Sequence, residues 1–384
     1  MNDPFPTPWG ELTLHRFPDD PRERFRAWDA ADAYLLRHLA EQGPKAARPV
    51  LVGDRWGALT TALADRGPVL ITDSYLAREA TRANLAAAGH APDAATLLTS
   101  REAPPDRIDL LLVRVPKSLA FLEDQLHRLA PSVHEGTTVL ATGMVKEIHT
   151  STLRLFEQIL GPTTTSLAER KARLVFCAPR PGSERDEAPA NPWPHRYALP
   201  PDTGVLAGRT VTNHAGVFCA SHLDIGTRFF LQHLPTGLGT AEVADLGCGN
   251  GVVGTALALA EPGARLHFTD ESYQALASAE ATFRENLGAD RAAEFRVGDG
   301  LADFPPGSLD LVLCNPPFHS HQATTDTTAW RMFTGARRAL RPGGELWVVG
   351  NRHLGYHAKL RRLFGGSRLV ASAPKFVVLR AARR

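Results

Sequence analysis

Cysteine is scarce in this 384-residue chain: four occur, at Cys177, Cys219, Cys248 and Cys314, and no two form a CxxC pair. That spacing argues against a structural zinc site and a disulfide framework, and it suits a reducing compartment, so a cytoplasmic protein without bound metal is expected. No uninterrupted run of about 18 apolar residues occurs, so no membrane-spanning helix is expected. The opening stretch, MNDPFPTPWGELTLHRF, lacks a basic start followed by an apolar core, so no secretion signal is expected either. Net charge is nearly absent, 43 Lys and Arg against 41 Asp and Glu, and overall charge therefore names no partner. Local charge says more. Acids are missing after Glu345, whereas Arg352, Lys359, Arg361, Arg362, Arg368, Lys375, Arg380, Arg383 and Arg384 follow it. A one-signed tail of this kind is either a solvated face or a surface for phosphates.

What is present is the composition of a globular protein, 43% hydrophobic and 22% charged, with length enough for two domains. Residues 179–201, PRPGSERDEAPANPWPHRYALPP, are dense in proline and charge and carry no apolar period. We read 181–201 as a linker between a first domain, 1–180, and a second, 202–384. In the second, strands are expected over 241–246, 265–269, 294–297, 309–314 and 345–349. Helices are expected over 252–260, 272–286, 329–340 and 354–364, and a closing hairpin over 368–372 and 375–380. Strand–helix alternation implies an α/β fold with a mostly parallel sheet covered on both faces. The first half repeats the pattern in weakened form, with ITDSYLAREATRANLAAAG beside FTDESYQALASAEATFRENLGA and IDLLLVRVPKS beside LDLVLCNPPFH. Such self-similarity reads as a duplicated domain.

The first chemical motif is Asp245-Leu246-Gly247-Cys248-Gly249-Asn250-Gly251, between an expected strand and helix. Its glycines let backbone turn tightly and approach a ligand. Asp245 can hold a ligand amine or hydroxyl, and Asp270, about 20 residues on, can take both ribose hydroxyls of an adenosine. Asp299, in Gly298-Asp299-Gly300, can accept from an adenine amino group or serve only as a turn residue. Gly249-Asn250-Gly251-Val252-Val253-Gly254 also matches the dinucleotide fingerprint. A nicotinamide-dependent oxidoreductase is therefore the rival reading, but Asp245 would set a negative charge where pyrophosphate should lie.

The decisive motif is Asn315-Pro316-Pro317-Phe318, directly after the strand 309–314. An exocyclic amine on an aromatic base is a poor nucleophile, because its lone pair is spread into the ring. Two acceptors aimed at its hydrogens, the Asn315 side-chain oxygen and the Pro316 carbonyl, would favour a tetrahedral nitrogen whose lone pair points at a methyl donor. The prolines stiffen the loop, and Phe318 offers a face for stacking. His319 and His321, and His353 and His357, lack the acid of a zinc motif, and no metal site is expected. Trp330 fits a core better than a base, and Arg352 is a candidate phosphate contact. At the matching positions of the first half, Leu51 stands for Asp245, Arg55 for Gly249, Arg114 for Asn315, Val115 for Pro316 and Lys117 for Phe318. That half is expected to bind no cofactor; Lys117, Lys146, Arg170, Lys171 and Arg173 are candidates for RNA phosphates.

With these residues assembled, the sequence resembles the bacterial ribosomal RNA guanine-N2 methyltransferases that carry tandem methyltransferase-like domains. The resemblance rests on AGVFCASHLDIGTRFFLQHLP (215–235), DLGCGNG, FTDES, LCNPPFH and NRHLGYHAKLRRLFGG (351–366). The last segment is closer to the large-subunit, RlmG-like group than to the small-subunit, RsmC-like group. It implies two tandem Rossmann-like class I methyltransferase domains with seven-stranded, mostly parallel sheets, the N-terminal copy degenerate. It implies methylation of a ribosomal RNA guanine at N2 from S-adenosyl-L-methionine, with ribosomal RNA or a ribosomal subunit as partner and no implied oligomer. Carried over by position, cofactor contacts fall on Asp245, Gly247, Cys248, Gly249, Asn250, Gly251, Asp270, Asp299 and Asn315, with residues 218–231 lining that side. Base contacts fall on Asn315, Pro316, Pro317 and Phe318. The alternatives are small-subunit RNA, a DNA adenine or protein glutamine amide as methyl acceptor, and a non-catalytic RNA-binding assembly factor.

Overall fold

The computed structural model describes residues 4–19, 25–43, 47–182, 189–317 and 322–384, with side chains from Thr327 onward in the last stretch. The chain divides into two units, Met1–Pro192 and Trp193–Arg384.

In the first unit β1 (Phe5–Thr7) and β2 (Gly10–Leu12) make a small hairpin. Helix α1 (Ala30–Glu41) starts at a reciprocal cap: the Asp29 carboxylate accepts from the Ala31 N–H, and Asp32 accepts from the Asp29 N–H, each at 2.8 Å. Then follow β3 (Pro49–Val52), α2 (Ala58–Ala62), β4 (Val69–Thr72), α3 (Tyr75–Ala87), β5 (Thr96–Thr99) and β6 (Ile108–Arg114). They are succeeded by α4 (Leu119–Leu129), β7 (Val133–Met144), α5 (Thr150–Ile159), β8 (Thr163–Thr165) and β9 (Ala172–Cys177). One sheet results, in the order β5-β4-β3-β6-β7-β9-β8, parallel through β7 and antiparallel at β9 and β8. Its central strands are buried on both faces, which is why β3 and β4 read as unbroken apolar runs rather than alternating ones. Leu35 and Leu36 of α1 cover one face with Leu51, Leu70 and Leu112; Leu126 and Phe156 of α4 and α5 cover the other with Val50, Leu111 and Val139.

The second unit opens with β10 (His195–Ala198), paired antiparallel with β11 (Thr210–Asn213). After α6 (Ile225–Leu231) come β12 (Glu242–Leu246), α7 (Val252–Ala260), β13 (Arg265–Asp270), α8 (Tyr273–Leu287), β14 (Ala293–Val297) and β15 (Leu309–Cys314). The chain continues through α9 (Gln322–Ala339), β16 (Leu340–Asn351), α10 (Tyr356–Phe364), β17 (Arg368–Ser372) and β18 (Phe376–Ala382). Sheet order is β14-β13-β12-β15-β16-β18-β17, the same winding as in the first unit, element for element. Even the irregularity recurs: register slips between Ile108 and Leu110 on β6 and between Leu309 and Leu311 on β15. Duplication is thus visible in the connectivity. Helix α7 is buried almost all round, from Val252 to Ala258, so it needs no polar face.

Three of the differences from the sequence reading have a physical cause that can be named. Strand β10 lies inside the stretch assigned to linker; its HRYA sequence has no apolar signal, and its order comes from backbone pairing with β11. Strand β16 begins at Leu340, not 345, because Arg341-Pro342-Gly343-Gly344 is a bulge against β15 rather than a separate turn. Helix α9 begins at Gln322, seven residues before the apolar period that betrayed it. Among the described residues, no helix is long and apolar enough to cross a membrane.

Candidate active site

Strand order reverses between β12 and β15, and in open α/β sheets ligands lie beyond the carboxyl ends of strands at such a switch point. Parallel register pairs Leu246 with Thr269 and Cys314, and Asp270 with Val297. The glycine turn, Asp270, Asn315 and Asp299 therefore stand in one row along that edge.

The turn is shaped by its glycines. Gly251 caps α7 at φ +75°, and a Cβ there would lie 2.7 Å from Ala279 Cα, so only glycine fits. Gly249, at φ +55°, differs: a Cβ there would meet nothing within 4 Å, so this part of the turn borders open space that a ligand could fill. Gly254, the third glycine of the dinucleotide pattern, has a packing reason instead. A Cβ on it would strike Phe268 at 2.3 Å.

Asp245 is buried, and its Oδ2 accepts from the Gly254 N–H at 2.8 Å, at the start of α7. Burial pushes its carboxyl up to about 7; that hydrogen bond opposes the rise, and the neighbouring Asp270 adds to it. Asp270 accepts from Gly249 N–H and Ser272 N–H, both at 3.0 Å, and burial raises its pKa as well. Two acids side by side, with no adjacent cation among the described residues, make a site suited to a positively charged ligand and hostile to a pyrophosphate. A sulfonium compound with an α-amino group meets that requirement, and the residues present fit S-adenosylmethionine.

Asn315, half-buried at the end of β15, carries the sharpest signal. Its Nδ2 donates to Thr227 Oγ1 at 2.9 Å, while its Oδ1 is buried and, among the described residues, without a hydrogen-bond partner. The Thr227 hydroxyl donates in turn to Asp224 Oδ2 at 3.3 Å, and that carboxylate, the N-cap of α6, also accepts from the Thr227 N–H at 2.8 Å. The chain Asp224–Thr227–Asn315 thus fixes which way the amide points and leaves a bare acceptor. An unsatisfied buried acceptor is costly in a folded protein, so its presence calls for a partner that arrives later. Sequence reading named Asn315 singly, and Thr227 and Asp224 only within the segment 218–231 that the resemblance sets on the cofactor side; the Asp-x-x-Thr helix-start pattern is the local signal that marks the two.

Other expected contacts are arranged differently. Asp299 is ion-paired with Arg331 of α9, so its carboxylate is already engaged. The Cys248 side chain is turned into the core, and only its backbone edges the turn, donating to Thr269 O at 3.0 Å. Asn250 Nδ2 donates to Asn213 Oδ1 at 3.0 Å, tying the turn to β11. Pro316 is buried and Pro317 exposed. Phe318, His319 and His321 lie outside the described residues. Trp330 is half-buried with the Arg362 guanidinium 5.1 Å above its ring, and Arg352 is bound to Ser372 and Ala373 in the β17–β18 hairpin.

In the first unit the matching position is plugged. Arg114, at the end of β6 where β15 leads into Asn315, is 2% exposed and bonded to Asp32 at 3.0 Å, to Glu147 at 3.3 Å and to Asp29. Arg55 closes the cluster on Glu147 at 2.9 Å. Burial disfavours the Arg114 charge, but Asp32, Asp29 and Glu147 outweigh it and raise its pKa. This cation is internal wiring, not an RNA contact.

Two family models match the chain. The RLMG N-terminal domain family matches residues 2–181, and the methyltransferase small domain family matches residues 208–380. The ribosomal RNA large subunit methyltransferase G of Streptomyces avermitilis is 71% identical over 385 residues, covering 100% of both chains. The protein of that name from Ectopseudomonas mendocina is 51% identical over 381 residues, covering 99% of each. Among solved structures, a T. thermophilus 16S rRNA N2 methyltransferase (RsmC) in complex with AdoMet and guanosine aligns with TM-score 0.75 at 21% identity, covering 100% of this chain and 98% of that one. That likeness is one of fold. The identities over full length decide the family: this chain belongs to the ribosomal RNA large subunit methyltransferase G family.

Proposed function

We propose that the second domain transfers a methyl group from S-adenosylmethionine to the exocyclic N2 amine of a specific guanine in large-subunit ribosomal RNA. The observation that carries this reading is the buried Asn315 Oδ1, without a partner among the described residues and held beside a glycine turn and two buried acids in a chain of this family. S-adenosylmethionine, when bound, supplies an electrophilic methyl on its sulfonium. Asp270 takes ribose hydroxyls, the open side of Gly249 admits the ligand, and the negative charge of Asp245 complements its positive groups. Asp299, engaged with Arg331, frames the adenine end through that pair. Asn315 Oδ1 accepts one hydrogen of the guanine amine and the Pro316 carbonyl the other, so the nitrogen lone pair is localised and aimed. Phe318 supplies by residue type an apolar face for the base. Asn315 is no base, so the proton leaves to water. Catalysis is then positioning and fixed dipoles. Acting on ribosomal RNA, the enzyme works in the cytoplasm, where ribosomes are built.

The test is tritium transfer from labelled S-adenosylmethionine to ribosomal RNA of a strain lacking the gene, followed by digestion to nucleosides. N2-methylguanosine from the large subunit is the expected product. Label in another nucleoside, or none in RNA while the ligand still binds, would sink the reading.

Thr227→Val keeps shape and removes the acceptor that orients Asn315. A lost neutral hydrogen bond is worth about 1 kcal/mol, so kcat should fall about fivefold, with affinity for S-adenosylmethionine unchanged and activity restored by Thr227→Ser. An equal loss in the serine variant would show that the hydroxyl is not what matters.

Binding of the ligand should depend on pH. The Asp245 carboxyl, pushed up to about 7 in the free protein, must lose its proton to meet a cation. Affinity therefore rises with pH from 6 to 7.5, by about tenfold at most, with proton release. Calorimetry in two buffers of different ionisation enthalpy measures this; a flat profile for the wild type, or an unchanged slope in Asp245→Asn, contradicts the assignment.

A further inference from the structure

We propose that Asn213 and Asn250 form an amide pair that recognises the α-ammonium group of S-adenosylmethionine, with Asn250 touching the ligand and Asn213 the positioning residue behind it; this rests on the reading of that cofactor. Backbone geometry brings the two together. Val211, two residues earlier on the same face of β11, packs with Val252 and Ala256 of α7, so Asn213 lands on the turn from which α7 starts. There the Asn250 Nδ2 donates to Asn213 Oδ1 at 3.0 Å. The strand is held in place by a ridge of α8. His214 N–H donates to Ser278 Oγ at 2.8 Å, Thr212 N–H to Thr282 Oγ1 at 3.1 Å, and Asn286 Nδ2 to Thr210 O at 2.8 Å. Four helical residues advance about 6 Å and two strand residues about 6.6 Å, so the ladder stays in step.

The pair is costly to keep. Asn213 is 0% exposed, and its Nδ2 is buried without a hydrogen-bond partner among the described residues. Turning both amides over would only exchange that orphan for another, because Asn213 would then bury a bare oxygen. A leucine of similar size would fill the space with no polar group to satisfy. An asparagine here is therefore explained by the amide it holds.

With its NH2 end tied down, Asn250 turns its Oδ1 away from Asn213, and among the described residues that oxygen has no hydrogen-bond partner. The arrangement repeats that of Asn315, whose Nδ2 is tied to Thr227. Asn250 is half-buried beside Gly249, where the turn borders open space. A bare oxygen there suits a ligand N–H, and S-adenosylmethionine carries two kinds. Its adenine amine belongs with Asp299 beyond β14, two strands from β12 and so about 10 Å away. Its α-ammonium hangs from the sulfonium, which the ribose at Asp270 and the methyl directed toward Asn315 together set over the end of β12. The sulfonium itself has no hydrogen to donate. Asp245 is 3% exposed and spends an oxygen on the Gly254 N–H, so it acts through its charge and leaves the direct contact to Asn250.

The experiment titrates the full-length enzyme calorimetrically with S-adenosylhomocysteine and with its desamino analogue, in which hydrogen replaces the α-amino group. Both lack the sulfonium charge, so the ratio of their dissociation constants isolates the ammonium. That ratio does not depend on how much of a variant is folded. In Asn250→Ala it should fall about 10- to 100-fold, the loss of a hydrogen bond to a charged group, while affinity for the desamino analogue holds within about twofold. In Asn213→Leu the ratio should fall about fivefold, the loss of a neutral orienting bond. The double variant should lose no more than Asn250→Ala alone, because Asn213 acts through Asn250. An unchanged ratio in Asn250→Ala would overturn the proposal. So would an Asn213→Leu variant that loses affinity for both ligands alike, since Asn213 would then only brace the turn. A wild type that binds neither ligand would sink the reading of the cofactor and this contact with it. A wild type with the expected ratios that methylates no RNA would leave the contact standing and remove the RNA acceptor.

Discussion

Asn315→Ala will leave affinity for S-adenosylmethionine nearly unchanged and lower kcat by about 100- to 1,000-fold, the loss expected when one preorganised polar group is removed from a transition state. The asymmetry follows from the geometry. The Asn315 amide is oriented from behind by Thr227 and Asp224, and its buried Oδ1 has no hydrogen-bond partner among the described residues. That oxygen gains its partner only when the base arrives, so its contribution falls on the acceptor side of the reaction and not on holding the methyl donor. Single-turnover methylation of ribosomal RNA, beside calorimetric titration of S-adenosylmethionine, separates the two. Activity within a few-fold of wild type would mean that the amine is activated by some other group. Loss of ligand affinity matching the loss of rate would mean that Asn315 belongs to the donor pocket.

The second large effect is one of stability and lies in the first domain. Arg114→Met removes a guanidinium that three carboxylates share and leaves those charges facing one another. Breaking a buried ion cluster from one side costs about 3–5 kcal/mol. The loss should depend on pH in a definite direction. Burial pushes the Asp32 carboxyl up to about 6, with Arg114 pulling it down and Asp29 and Asp54 pushing it up. An acid whose folded pKa lies above its unfolded value stabilises the fold when protonated; that contribution fades as pH rises through the folded value. Without Arg114 the Asp32 pKa climbs further, so the variant binds more protons than the wild type in the window from about 5 to 8. The stability gap should widen across that window and narrow toward acid. Denaturant unfolding at pH 5 and pH 8 measures it. Adding Asp32→Asn and Glu147→Gln to Arg114→Met should recover much of the loss by removing the orphaned charges. A gap independent of pH, or no recovery, would show that Arg114 acts through packing alone.

Much of the architecture was legible because it is written in short, local patterns. Strand β15 and the Asn315 loop, the glycine turn after β12, and β13 ending at Asp270 each announce themselves within ten residues. The duplicated winding followed from pairs of such segments. What stayed hidden was set by distance or by backbone alone. Arg114 and Asp32 are 82 residues apart, and nothing near Arg114 says that its charge is consumed internally. Thr227 reaches Asn315 across 88 residues. The sequence offers Asp299 as an adenine acceptor or a turn residue, but its ion-pair partner, Arg331, is 32 residues on. Strand β10 has no side-chain pattern to betray it, since its order comes from the hydrogen bonds of β11. The bulge in β16 looked like a turn because Pro and Gly mark both.

The β10–β11 pair also bears on how the second domain could be handled by itself. Strand β11 is clamped to α8 through Thr212 N–H to Thr282 Oγ1 at 3.1 Å and His214 N–H to Ser278 Oγ at 2.8 Å. Its outer edge pairs with β10. A shortened chain beginning at residue 208, where the methyltransferase family match starts, would keep β11 and discard its cover. The bare edge, with unpaired N–H and C=O groups, is a template for intermolecular pairing. Beginning at Trp193 carries the cover along, so the fragment from 193 is expected to stay in solution and the one from 208 to self-associate.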